Sequence, residues 1–249
     1  RIGLASTDML YFAAGKLNLP GAMFTASHNP AEYNGIKLCL SGARPIGKES
    51  GLLIIEKFVR EGVPVSMRPI GIESKRDMLD EYVDHLLSLV DLSQIRKLNV
   101  VIDAGNGMAG HTAPAVFKRI NADVTEMFYE LDGSFPNHEA NPIDEANLKD
   151  LKKMVKKKGA DIGLAFDGDA DRCFLVDENG DAVNPSLLTA LIADRELAKL
   201  PGSPIIYNLI SSRAVKEIIE ERGGKPLRSR VGHSYIKAMM ADSGAIFGG

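Results

Sequence analysis

Strand-like and helix-like segments alternate along the whole 249-residue chain, and that alternation restricts the fold more than any other feature. Apolar runs at Asn99–Ala104, Asp161–Phe166 and Ile205–Leu209 have the length and composition of buried strands. Between and around them, Arg76–Val90, Asp144–Lys158 and Ser211–Arg222 repeat apolar residues at helical spacing. This pattern predicts an α/β fold: consecutive domains whose mixed, largely parallel sheets are flanked by helices. In such folds chemistry collects just beyond strand ends. Two breaks divide the pattern. Val63–Ile72 carries Pro64, Pro69 and Gly71, and Asn179–Pro185 follows a strand pair. The expected domains are therefore 1–72, 73–182 and 183–249.

The segment after the strand Ile162–Phe166 is Asp167-Gly168-Asp169-Ala170-Asp171-Arg172. In an extended backbone, alternate aspartates project to one side, so three like charges crowd together. A divalent cation is the usual compensation, and all-oxygen ligands favour Mg²⁺, Mn²⁺ or Ca²⁺ over zinc. Arg172 adds a fixed cation with a planar donor fork, suited to a phosphate. The bland reading is a polar turn between strands. A calcium loop of EF-hand type fits poorly, because Arg172 stands where that loop needs glycine and the flanks read as strands. An aspartyl phosphatase of haloacid dehalogenase type begins with the same strand and Asp-x-Asp, here Asp167 and Asp169, and stays open as the alternative.

A second polar segment, Thr25-Ala26-Ser27-His28-Asn29-Pro30, follows the apolar run Ala22–Phe24. Ser27 lacks the Gly-x-Ser-x-Gly elbow of an ordinary hydrolase nucleophile. His28 and Asn29 supply polar groups around whatever the hydroxyl carries. Asn34-Gly35 marks a turn and Ile36–Leu40 reads as a returning strand. That geometry brings Lys37 back toward Ser27, where an ammonium could bind a transferring phosphoryl group; otherwise it is a solvated lysine. The literal Gly-x-Gly-x-x-Gly at Gly105–Gly110, with Glu130 further on, imitates a dinucleotide fingerprint. It would leave Ser27 and the aspartates without a role, so the glycines are read as a tight strand-to-helix turn.

Taken in order, Thr25–Pro30 with Tyr33–Lys37, then Asp167–Arg172, then Gly232-His233-Ser234 closely resemble the α-D-phosphohexomutases. Within them the chain looks most like the phosphomannomutase/phosphoglucomutase branch, through essentially its whole length. The resemblance implies that Ser27 carries a phosphoryl group. It also implies that Asp167, Asp169 and Asp171 hold Mg²⁺, with a serine-phosphate oxygen completing the site. The phosphoserine would give its phosphoryl group to a hexose 1-phosphate, forming a bound glucose or mannose 1,6-bisphosphate. The sugar would reorient and return its other phosphoryl group, leaving the 6-phosphate. Arg172 and Lys37 would stabilise the phosphoryl oxygens, and His28 is the nearest candidate for proton transfer. The loop Arg230-Val231-Gly232-His233 matches the family's third-domain substrate loop, which makes Arg230, Gly232 and His233 sugar-phosphate contacts.

The implied partners are small sugar phosphates. Phosphoglucosamine mutases share both main motifs, while Tyr33 leans toward mannose and glucose phosphates. The family's first three domains are related α/β units. Relative to it, the start of the first domain, the end of the third and the whole fourth are expected to be missing. This chain alone is accordingly expected to turn over poorly or not at all. A net charge of −3 gives no electrostatic case for nucleic acid or an anionic membrane. No apolar stretch approaches the ~20 residues of a membrane helix and no secretory signal is visible, so a cytoplasmic enzyme is expected. Lys152–Lys158 continues a helix and reads as a solvated face, and Cys39 and Cys173 as buried reduced thiols.

Overall fold

In the computed structural model, residues 1–65, 69 and 71–249 are described. The chain forms two compact blocks: Arg1–Arg44 with Leu53–Ala182, and Pro45–Leu52 with Val183–Gly249. The expected border near residue 72 falls within the first block, and part of the break Val63–Ile72, residues 66–68 and 70, lies outside the described residues.

The first block opens with α1 (Thr7–Leu17), whose N-terminus is capped by the Ser6 hydroxyl accepting from the Met9 amide. β1 (Gly21–Phe24) pairs antiparallel with β2 (Ile36–Leu40), and the two-residue β3 (Arg44–Pro45) continues that sheet. The returning strand thus runs over the predicted residues. Two helices follow, α2 (Leu53–Glu61) and α3 (Leu79–Ser88). α3 is shorter than Arg76–Val90 because the Asp77 carboxylate accepts from the Leu79 amide and starts the helix there.

A four-stranded sheet of order β5-β4-β6-β7 carries the rest of this block. Its strands are β4 (Leu98–Asp103), β5 (Ala122–Met127), β6 (Ile162–Phe166) and β7 (Cys173–Val176). β4 runs parallel to β5 and β6, and β7 is antiparallel to β6. α4 (Ala109–Phe117) joins β4 to β5, and α5 (Lys149–Lys158) precedes β6. Buried side chains cover both faces, with Val101, Leu151 and Val155 in one cluster and Val100, Ile102 and Ala113 in another. The predicted helix Asp144–Lys158 begins with a 3₁₀ turn, Glu145–Leu148, capped by Asp144. It ends at Gly159, whose φ of 57° is the left-handed geometry of a helix C-terminus.

The second block is a parallel three-stranded sheet of order β10-β8-β9. Its elements alternate: α6 (Pro185–Lys199), β8 (Pro204–Asn208), α7 (Arg213–Glu221), β9 (Lys225–Ser229), α8 (His233–Ser243) and β10 (Phe247–Gly248). Ile205, Leu197, Val215 and Ile219 fill its core. The α/β class is as predicted, with an antiparallel β1–β2 pair and a mixed four-stranded sheet in the first block and a parallel sheet in the second. Cys39 is buried, but Cys173 is only half-buried, being the first residue of β7 beside the loop. Burial of its sulfur nevertheless pushes the thiol up to about 12. Among the described residues no helix is long and apolar enough to cross a membrane.

Candidate active site

β6 and β7 form a hairpin, pairing Phe166 with Cys173, and the six residues between them are Asp167–Arg172. The three aspartates converge, with one oxygen from each lying within 4.8 Å of the others. They do so by a route different from extended alternation. Ala170 adopts a left-handed φ of 57°, and its amide bonds the Asp167 carbonyl at 3.0 Å, so the loop is a tight turn. Asp167 organises it: its Oδ1 accepts from the amides of Asp171 and Arg172, both at 3.1 Å.

Arg172 donates through Nε (3.1 Å) and Nη2 (2.9 Å) to the other oxygen, Asp167 Oδ2. Asp167 is fully buried and Asp169 is 1% exposed. Burial, then the neighbouring Asp171 and Asp169 charges, hold the Asp167 carboxyl above its ordinary pKa despite Arg172. Burial also works against the Asp169 carboxylate. There the hydrogen bond and charge of Lys37, with the Thr25 and Thr7 hydroxyls, prevail and bring its pKa below the ordinary value.

The serine loop reaches this turn from β1. Gly35 closes its neck: the Thr25 amide bonds the Gly35 carbonyl at 3.0 Å, and a Cβ on Gly35 would lie 2.5 Å from the Thr25 carbonyl oxygen. Ser27 has a left-handed φ of 56°, a sparsely populated conformation for a residue with a side chain. Its Oγ donates to Asp167 Oδ2 at 2.9 Å and lies 3.1 Å from Asp169 Oδ1. Nδ1 of His28 stands 3.3 Å from the same hydroxyl oxygen. The approach requires glycine at 168, where a Cβ would sit 2.2 Å from the Ser27 carbonyl oxygen.

Lys37 comes in from β2, at the register position opposite Met23. Its Nζ bonds Asp171 Oδ2 (2.6 Å), Asp169 Oδ2 (2.7 Å) and Thr7 Oγ1 (3.1 Å). Here the ammonium is held by the aspartates rather than set against the serine hydroxyl. Burial opposes its charge, but hydrogen bonds to Asp169 and Asp171 outweigh that and raise its pKa.

Among the described residues three carboxylates face two cations, Lys37 and Arg172, so the ionised cluster carries an excess of negative charge. An oxygen donor set with surplus charge fits a hard divalent ion such as Mg²⁺.

The glycine turn seats the same loop. The Met108 amide donates to the Gly168 carbonyl at 2.9 Å, and a Cβ on Gly107 would lie 2.6 Å from that carbonyl oxygen. Glu130 is an exposed loop residue whose carbonyl accepts from the Asn106 side chain. Thr7, Thr25 and Met108 are contacts that sequence reasoning missed. Nothing in their spacing marks them, since they lie 60 to 162 residues from the carbonyls and carboxylates they touch.

In the second block, Arg230 and His233 are both exposed at the end of β9 and the start of α8. Gly232 has a φ of 129°, and its carbonyl accepts from the amides of Tyr235 and Ile236. The Arg230 guanidinium lies 5.9 Å from the Tyr235 ring centroid.

Family comparisons cover nearly the whole sequence. Three successive α/β/α domain models of the phosphoglucomutase/phosphomannomutase family match: domain I over residues 1–62, domain II over 80–180 and domain III over 184–249. A phosphomannomutase of Vibrio cholerae is 38% identical over 254 residues, covering all of this chain and 55% of that protein. A phosphoglucomutase of Neisseria gonorrhoeae is 39% identical over 251 residues, covering all of this chain and 53% of that protein. The crystal structure of a phosphoglucomutase/phosphomannomutase family protein from Burkholderia thailandensis matches with a TM-score of 0.88 at 33% identity. That match covers 98% of this chain and 54% of the other. The chain spans about half the length of the curated relatives it matches. From these three domain matches in order, the chain belongs to the phosphoglucomutase/phosphomannomutase family.

Proposed function

We propose that the protein carrying this chain interconverts the 1-phosphate and 6-phosphate of a hexose, mannose or glucose, with Ser27 as the phosphoryl carrier. The observation that carries this reading is the Ser27 hydroxyl, hydrogen-bonded to Asp167 and Asp169 from a loop 140 residues away in sequence. The names of the relatives, phosphomannomutase and phosphoglucomutase, support the same reaction class. The domain organisation that goes with it is 1–72, 73–182 and 183–249.

Asp167, Asp169 and Asp171 would hold Mg²⁺ together with Ser27. A divalent ion held there would withdraw charge from the phosphoryl group. What the chain supplies is position. Phosphoryl transfer needs in-line placement and neutralisation of developing charge more than covalent assistance. The strained backbone at Ser27 aims its oxygen at the aspartates. Arg172, fixed on the Asp167 oxygen that also receives Ser27, would keep a cation beside the reacting phosphate, while Lys37 holds Asp169 and Asp171 in place. As the phosphoryl group passes from Ser27 Oγ to a sugar hydroxyl, that hydroxyl's proton must leave. The departing serine oxygen must gain a proton in exchange; His28 Nδ1, 3.3 Å from it, is positioned to relay one from the sugar hydroxyl to Ser27 Oγ, and the second transfer runs the same exchange in reverse. Arg230 and His233 would bind the sugar phosphate, with the Gly232 turn setting their spacing.

An aspartyl phosphatase with Asp167 as nucleophile finds less support. Five donors already engage its two oxygens: two loop amides, two Arg172 nitrogens and the Ser27 hydroxyl. The reaction itself is tested by ³¹P NMR on the protein with Mg²⁺, a trace of glucose 1,6-bisphosphate and either mannose or glucose 1-phosphate. Growth of a 6-phosphate resonance with conserved total phosphoester is expected. Release of inorganic phosphate instead would contradict the assignment.

A further inference from the structure

We infer that Thr7 and Thr25 are positioning residues for the cation site, acting through Asp169; this rests on the proposed role of the aspartates. Both hydroxyls donate to one atom, Asp169 Oδ2, each at 2.9 Å. The direction of each bond is fixed by its other partner. Thr25 Oγ1 also receives the Ser27 amide at 2.8 Å, and Thr7 Oγ1 receives the Lys37 ammonium at 3.1 Å. An amide and an ammonium can only donate, so each threonine spends its single proton on the carboxylate. Two parallel relays result. One ties the backbone of the serine loop to Asp169, and the other ties Lys37 to Asp169.

The relays also separate the two oxygens of that carboxylate. Oδ2 receives Thr7, Thr25 and Lys37, while Oδ1 is the oxygen that faces the Ser27 hydroxyl, 3.1 Å away. With three donors on one side, the carboxylate cannot rotate without losing all of them. Oδ1 is therefore the oxygen presented to a cation shared with Ser27. Thr7 adds a second hold, because its amide at the first turn of α1 donates to the Asp169 carbonyl at 3.0 Å. Thr7 is 2% exposed, so its hydroxyl has little water to turn to. Partners that orient metal-binding carboxylates typically change metal affinity by about 10–100-fold when removed.

The test is Mn²⁺ binding to the 249-residue chain, followed by the electron paramagnetic resonance signal of the free ion, with thermal midpoints measured alongside. Thr7→Val and Thr25→Val keep the shape and remove the hydroxyl, while Thr7→Ser and Thr25→Ser restore it. Each valine variant is expected to weaken Mn²⁺ binding by about tenfold or more, and each serine variant to recover it. Valine variants that bind Mn²⁺ like the wild type would overturn the assignment, even with a lowered midpoint. Weakened binding that serine does not recover would overturn it as well. Should Thr7→Val fail to fold, Thr25→Val in its half-buried loop decides alone. A wild-type chain that binds no Mn²⁺ would overturn the cation site itself, a different result from intact binding that ignores the threonines.

Discussion

The serine and aspartate loops of the first block and the Arg230–His233 loop of the second differ sharply in burial. In the first, every functional side chain is locked to another. Ser27, Lys37, Arg172 and the aspartates form a closed set of hydrogen bonds between 2.6 and 3.1 Å, with Asp167 and Asp169 out of solvent. In the second, Arg230 and His233 are exposed on either side of the Gly232 turn, and Arg230 has an aromatic ring as its neighbour. A group that must meet developing charge benefits from being fixed in advance. The contrast is consistent with the proposed division of labour, with chemistry at the buried site and sugar-phosphate capture at the exposed loop.

Substitutions can break that comparison at either end. The largest effect is expected for Ser27→Ala, a loss of mutase turnover of at least about a thousandfold, as when a nucleophile is deleted. Steady-state kinetics should show this in kcat with little change in KM. Next comes Gly168→Ala, whose Cβ would collide with the Ser27 carbonyl oxygen at 2.2 Å. A backbone atom cannot step aside cheaply, so a destabilisation of about 2–3 kcal/mol is expected in urea unfolding, with weaker Mn²⁺ binding. Arg230→Ala should act differently, raising KM for the sugar phosphate roughly tenfold through a lost charge-assisted contact. It should leave phosphorylation of Ser27 untouched, and a fall in that labelling would erase the proposed division.

The smallest effect lies away from both loops. His138 Nε2 bonds the buried Asp103 at 3.0 Å, and that hydrogen bond, opposed by burial, raises the imidazole pKa from its ordinary 6.5. A group whose folded pKa is raised stabilises fully below its unfolded value. The contribution fades as pH rises through the higher folded value. Thermal midpoints should therefore decline gently above pH 6.5, and Asp103→Asn should flatten that decline.

How much of this was legible in the sequence depends on what kind of atom makes each contact. The three aspartates and Arg172 lie within six residues, so their convergence could be read from spacing alone, although the turn that achieves it could not. The left-handed Ala170 that bends the loop carries no compositional signal. Strand limits came within a residue, because apolar runs mark buried strands directly. The glycine turn at 105–110 was ambiguous between cofactor binding and structure, since Gly107 earns its place through the Gly168 carbonyl, a backbone contact invisible to side-chain chemistry. Thr7 and Thr25 were missed for a related reason. A lone threonine hydroxyl has no periodicity, and only the fold brings it to a carboxylate 162 or 144 residues away.

The central claim is that Ser27, rather than an aspartate, accepts and returns the phosphoryl group. Its most direct test is phosphopeptide mapping after incubating the protein with ³²P-labelled glucose 1,6-bisphosphate and Mg²⁺. The account predicts acid-stable label on the peptide containing Ser27, absent in Ser27→Ala and discharged by unlabelled mannose or glucose 1-phosphate. Hydroxylamine-labile label on Asp167, or a Ser27 that never becomes phosphorylated, would contradict it.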